Sequence, residues 1–260
     1  MTAPQRARTG FRLADLTWID AADLIGDGLP VLLPIGAAAK AHGPHLPLGS
    51  DRLVVEAIAE RLLAALPVLV APTIGQGFCP AFMDYPGSQH LTAPTFQAMV
   101  EEIIEGYLRH GAERIVLLNN GISTEPPLRL AAQTILQRHG VAVAIADLPR
   151  LGQACADQWS TPDSGHANER ETSLLLAIAP GMVRMDRLAE TVAAEDSEDV
   201  VLTSLRRPMR LTPEERPGGI VNRSGATGDA TAATAEKGER LIAAIVDEIA
   251  KDLRRLWPDL

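Results

Sequence analysis

Four short runs of uninterrupted apolar residues, each followed by a longer stretch of helical periodicity, constrain this chain more than any other feature. The runs fall at 29–36 (LPVLLPIG), 67–73 (PVLVAPT), 114–119 (RIVLLN) and 141–147 (VAVAIAD). A strand with one face in water alternates apolar and polar residues, whereas runs without alternation belong to strands covered on both faces. Helical patterns occupy 52–65, 93–110, 125–139, 169–179 and 232–256, and His-Gly at 110–111 and 139–140 supplies helix stop signals. The expected fold is therefore α/β, a mostly parallel sheet with helices on both faces. At 260 residues the chain is long enough for a single layered domain over 1–260. Regularity fails at about 180–230, where Glu195, Asp196, Glu198 and Asp199 precede RRPMR and PEERPGG, so an irregular surface excursion is expected there.

Composition then removes whole classes of function. A net charge of -9 opposes a nucleic-acid surface, which needs clustered Lys and Arg; only Arg206, Arg207 and Arg210 cluster, with Glu214 and Glu215 close behind. Aromatics at 3% leave few platforms for stacking bases. The longest apolar stretch, 62–75, contains two prolines and is shorter than the roughly 18–20 residues that span a bilayer. No membrane partner is expected. The first twenty residues carry Arg6, Arg8 and Arg12 without an apolar core, which points to the cytoplasm. Cys79 and Cys155 stand in no metal or redox spacing and read as inert buried thiols. A GxGxxG turn after the first run is absent, so a dinucleotide is not expected.

In an open α/β sheet, ligands bind beyond the C-terminal ends of the strands. Three segments at such ends are dense in polar chemistry. HGPHLPLGSD supplies His42, His45 and Asp51, NNGIST supplies Asn119, Asn120, Ser123 and Thr124, and SGHANERETS supplies His166, Glu169, Glu171, Thr172 and Ser173. His110 and His139 are explained by helix C-termini, where the dipole favours a cation; His90 stays ambiguous. Imidazole and carboxylate together are the ligand set of zinc, manganese or iron. These residues point to a hydrolytic metal site built from His42, Asp51 and a group of the 166–171 segment. Each also has a structural explanation: Asp51 as an N-cap, Glu171 as a first-turn charge, His45 as a packed ring.

The HGPHLPLGSD segment resembles the first motif of the creatininase family of metal-dependent amidohydrolases, E-x-H-G-P-H-L-P-L-x-x-D. Three more segments are similar to family motifs in the same order: MDYPGS at 83–88, HANERETS at 166–173 and TGDATAATAEKGERL at 227–241. The resemblance implies a creatininase-like α/β fold, a small-molecule substrate, and a homo-oligomer, hexameric in the family. It also implies hydrolysis of an amide, cyclic amide or formamide C–N bond with divalent ions. By position, His42 resembles a metal ligand, Asp51 the bridging carboxylate, His166 a proton-relaying catalytic histidine and His45 a packing residue; Glu171 falls on the E-T-S motif near the metal. Asp84 of MDYPGS, with Asn120, Gly121 and Ser123, falls where substrate is bound, and the backbone N–H groups near Asn120 and Gly121 are expected to hold an oxyanion.

Two departures alter this expectation. Lys40 stands where the family has a ligating Glu, and Ile122 where it has a ligating His, so one ion loses both of its private ligands. The resemblance then implies one divalent ion, Zn or Mn, on His42, Asp51 and Glu171, or none. In the metal-free alternative Lys40 and His166 act on a carbonyl or cyclitol-type substrate; a catalytically silent oligomer subunit is the third reading. Phe82, before Met83-Asp84, makes the pocket apolar and disfavours creatinine itself.

Overall fold

The computed structural model describes residues 9–161, 165–190 and 224–260. A parallel five-stranded sheet forms its centre: β1 (Phe11–Arg12), β2 (Val31–Ile35), β3 (Leu69–Val70), β4 (Ile115–Asn119) and β5 (Val143–Asp147), in the order β1-β3-β2-β4-β5. Around it lie α1 (Trp18–Gly26), α2 (Ser50–Ala65), α3 (Ala93–Arg109), α4 (Glu125–His139), α5 (Glu169–Ile178) and α6 (Ala235–Leu256). All four apolar runs form strands, the second shrinking to two residues, and all five helical patterns form helices. β1 and α1 were not anticipated: β1 is only two residues long and its pairing with β3 is invisible in local sequence. Most of the expected 180–230 excursion, residues 191–223, lies outside the described residues.

Successive strand residues point to opposite faces, and each face has its own helical layer. Leu32, Val116 and Leu118 pack against Val54, Ile58 and Leu62 of α2, Leu174 and Leu175 of α5, and Leu241, Ile245 and Ile249 of α6. Val31, Leu33, Ile35, Ile115 and Leu117 pack against Phe96, Val100 and Ile104 of α3 and Leu128, Ala131 and Ile135 of α4. Every residue of β2 and β4 is buried, which is why their sequence shows no alternation.

From β2 the chain passes through α2 to β3 on one side of β2, and then through α3 to β4 on the other. The reversal opens a crevice beyond the C-terminal ends of β2 and β4, where a doubly wound sheet binds ligands. Gly36 ends β2 at closest approach to α2: a Cβ there would lie 2.5 Å from Asp51 O. The glycine therefore brings the first turn of α2 into the crevice.

The α5–α6 contact is similarly tight, because a Cβ at Gly238 would overlap the Ser173 carbonyl and crowd Ala177 Cβ. Gly238→Ala is expected to destabilise the protein by at least about 2 kcal/mol, since the obstruction is helix backbone and cannot swing aside. The midpoint of urea unfolding measures this, and an unchanged midpoint would show that the two helices separate freely.

Candidate active site

Beyond β2 the chain does not enter α2 directly but loops through residues 36–49. Lys40, His42 and His45 on this loop are all buried. Gly49 caps α2 without a side chain and Ser50 Oγ donates to Pro47 O, so the Asp51 carboxylate is not spent on the helix end. Instead it turns to the loop. Lys40 Nζ lies 2.6 Å from Asp51 Oδ2, and His42 Nε2 lies 2.9 Å from Asp51 Oδ1. His42 Nδ1 is 2.8 Å from the Lys40 carbonyl, which fixes the ring. The Lys40 ammonium also stands over the Phe82 ring, 5.2 Å from its centroid.

His166 reaches the same place from the segment before α5. Its Nε2 is 2.8 Å from Ala41 O; a carbonyl only accepts, so Nε2 carries the hydrogen and Nδ1 is the basic nitrogen. Glu171 Oε2 lies 3.4 Å from Nδ1 and accepts from Ala167 N at 2.6 Å. The His166 ring packs between His42 and Phe82, at 4.6 and 4.5 Å between centroids. Ala167 follows with φ of 56°, a left-handed conformation rare for residues other than glycine. It is held by Glu171, by the Asn168 side chain capping Glu171 N, and by Thr227 Oγ1, which accepts from His166 N. A second ion pair, between half-buried Lys237 and buried Glu169, anchors this segment from outside; Glu169 also accepts from Ser160 N and Thr161 N.

These groups open onto a cavity of about 410 Å3, bounded also by Asn120, Ile122, Glu125 and Arg150. Its size is ordinary for a small-molecule site. Burial is the largest influence on Lys40 and opposes its charge, but Asp51, Cys79 and Glu171 together outweigh it, and the Lys40 pKa is raised. Asp51 is the converse: burial pushes its pKa up, while Lys40 and His42 bring it well below the usual carboxylate range. Burial, with His42 and Lys40 adding, lowers His166 far below an ordinary histidine. Burial lowers His45 to about 4 against the opposing charge of Glu171, and it pushes the Cys79 thiol up to about 11 despite Lys40.

The structure thus brings Lys40, His42, Asp51 and His166 together, with Asn120, Gly121, Ser123 and Glu171 on the cavity wall. Three expectations change in detail. Asp84 is exposed and is not part of the wall. Asn120 N donates to Ile35 O and Gly121 N to Asn119 Oδ1, so neither backbone hydrogen is turned to an oxyanion. Glu171 is engaged by Ala167 and His166 rather than joined to His42 and Asp51 as a third metal donor, and among the described residues no group of three His, Cys, Asp or Glu side chains is placed to hold an ion. The donors brought together here are His42 Nε2 and Asp51 Oδ1, with Lys40 Nζ on the second carboxylate oxygen. His45 is a packed ring whose Nε2 lies 2.9 Å from Thr172 Oγ1, and His90 is a structural acceptor for Cys79 N. Thr227 and the Lys237–Glu169 pair were missed as supports; the TGDATAATAEKG segment that carries them was visible, but pairing over 68 residues was not.

Comparison with known proteins places the chain in a family. The creatininase (creatinine amidohydrolase) family profile matches residues 14–253, and the chain belongs to that family. It is 31% identical to the mycofactocin precursor peptide peptidase of Mycolicibacterium smegmatis, over 88% of this chain and 86% of that one. Identity to the creatinine amidohydrolase of Pseudomonas putida is 27%, over 95% and 97%. Identity to the 3-dehydro-scyllo-inosose hydrolase of Thermotoga maritima is also 27%, over 86% and 76%. A solved creatininase named for manganese superposes with a TM-score of 0.74 at 25% identity, covering 96% of this chain and 99% of that one. A mutant creatininase of Zn-Zn type gives 0.69 at 25%, covering 95% and 98%.

Two outcomes follow for stability. Asp51→Asn and Lys40→Met should each cost about 3–5 kcal/mol by stranding a buried charge, while the double variant costs much less than their sum; urea unfolding of the four proteins measures the coupling, and additive losses would refute a paired burial. His45 is neutral when folded and free to protonate when unfolded. Its stabilisation is therefore complete above pH 6.5 and drains away as pH falls towards about 4, by on the order of 3 kcal/mol. His166 acts in the same direction, so the His45→Gln variant should show a shallower, not a flat, acid-side decline in unfolding midpoint.

Proposed function

We propose that this protein hydrolyses a C–N bond, in an amide, cyclic amide or formamide, of a small polar metabolite. One observation carries the reading: a buried His166, with its Nε2 hydrogen fixed on Ala41 O and its basic Nδ1 beside Glu171, stands against the Lys40–Asp51–His42 cluster at the wall of a metabolite-sized cavity. In this chemistry water adds to the carbonyl carbon as His166 Nδ1 accepts its proton. The carbon–nitrogen bond then breaks as the same nitrogen returns the proton to the departing amine. Glu171, 3.4 Å away, meets the proton while it resides on Nδ1. Asp51 takes no proton; it fixes Lys40 and His42. The names of the peptidase and amidohydrolase relatives support the reaction class, and the apolar Phe82 wall opposes creatinine as the substrate.

A second reading, an oxidised cyclitol as substrate, is favoured by the cation that Lys40 contributes to the wall and by the name of the Thermotoga relative. Incubating the protein with a panel of cyclic amides, formamides and keto-cyclitols, with products followed by mass spectrometry, separates the two. For whichever substrate turns over, His166→Gln keeps a donor for Ala41 O but has no basic nitrogen, and kcat should fall about 10²–10⁴-fold with the melting temperature little changed. Undiminished turnover would remove His166 from the mechanism.

A further inference from the structure

The ligand chemistry of this cluster differs from that of the relatives named for manganese and zinc, and the difference has a definite geometry. Zinc binds a carboxylate oxygen at about 2.0–2.2 Å and is held structurally by four ligands, or catalytically by three and a water. Lys40 Nζ lies 2.6 Å from Asp51 Oδ2, so an ion on that oxygen and the ammonium would claim the same space. The opening left to a competing cation is between Asp51 Oδ1 and His42 Nε2, which are 2.9 Å apart. It offers two donors and adjoins a fixed positive charge.

The neighbouring positions add nothing. Ile122, on the cavity wall, is hydrocarbon. Thr124 Oγ1 donates within its own turn, to Asn119 Oδ1 and Gly121 O. Asn120 Nδ2 donates to Asp51 O. Glu171 is occupied by Ala167 N and stands beside His166. Lys40, by contrast, has what a resident cation needs: a carboxylate partner, an aromatic face at 5.2 Å, and a place on the cavity wall.

We propose that the Lys40 ammonium is the built-in cation of this site, standing on Asp51 in the place a divalent ion would need, so that the protein works without bound metal. An ammonium has three hydrogens, and Asp51 engages one side of it. The rest are offered to the cavity, where they suit a substrate carbonyl or carboxylate oxygen; this deepens the hydrolase reading above and rests on the cavity being its reaction site.

The test needs no substrate, so failure to find an amide that turns over leaves it intact. The unaltered chain is dialysed against Zn2+ and, separately, Mn2+, desalted, and weighed by native mass spectrometry. The expected result is no stoichiometric ion, and no rise in melting temperature on adding either metal. The Lys40→Glu, Ile122→His double variant, which removes the ammonium and restores two donors, is expected to retain an ion and to melt higher with it. An ion retained by the unaltered chain and lost in Asp51→Asn overturns the proposal, as does a metal-dependent rise in melting that Asp51→Asn abolishes. Because both overturning results are read against the unaltered protein, a double variant that fails to fold does not protect the proposal from refutation.

Discussion

Withdrawing Lys40 and Asp51 from water costs several kcal/mol for each charge, and their attraction offsets this only because geometry holds them together. That geometry comes from the fold. Gly36 lets α2 pack against the end of β2, its first turn carries Asp51 into the crevice, and the loop before it presents Lys40 and His42 to the two carboxylate oxygens. The 36–49 loop is thereby bound to α2 at the topological switch, and the reactive face of the cavity is fixed before any ligand arrives. Apolar residues of similar volume would often hold such a core as well as a buried ion pair does. Stability alone therefore gives no reason for a lysine here; the role proposed for its ammonium in the adjoining cavity does.

The second arm of the site is supported by a different arrangement. Ala167 sits in a left-handed conformation that costs on the order of 1 kcal/mol or more for a residue with a Cβ, and its strain is carried by Glu171, the Asn168 cap and Thr227. The reward is the direction of His166, whose ring is turned into the gap between His42 and Phe82. Behind it, Lys237 and Glu169 tie α6 to α5 and to the chain at 160–161. This outer pair has structure as its purpose. It lies away from the cavity wall, and its carboxylate accepts from the backbone at Ser160 and Thr161.

What could be read from the sequence follows from the range of the interactions involved. Apolar runs without alternation and helical periodicity are local patterns, and β2, β4, β5 and α2 to α6 were legible for that reason, with a following glycine marking the ends of α3 and α4. β1 exists only through its pairing with β3, and nothing within Phe11–Arg12 announces it. At the site, the residues singled out by motif position, Lys40, His42, Asp51 and His166, lie together in the structure, because all four stand at the edge where such a sheet binds ligands. Motif position misjudged directions. The hydrogens of Asn120 N and Gly121 N are consumed by Ile35 and Asn119, and Glu171 is drawn to a strained backbone one turn away. Such choices are decided by the nearest unsatisfied group, which a one-dimensional pattern does not contain. Asp84 was placed by analogy of motif alone, and its segment is exposed.

A fixed ammonium and a mobile divalent ion impose different chemistry on the same scaffold. The ion polarises a carbonyl and generates hydroxide from bound water; the ammonium does the first more weakly and the second not at all. On the proposal above, the nucleophile comes from water deprotonated by a side chain, and burial, which lowers His166 well below an ordinary histidine, suits its Nδ1 to that role. In that reading the histidine carries more of the reaction, and an activated carbonyl, such as a strained cyclic amide, a formamide or a ring ketone, suits the site better than an unactivated peptide bond, which resists attack by water under general-base assistance alone. The fold shared with the metal-named creatininases leaves this chemistry open; on the proposal above, the nitrogen on Asp51 decides it.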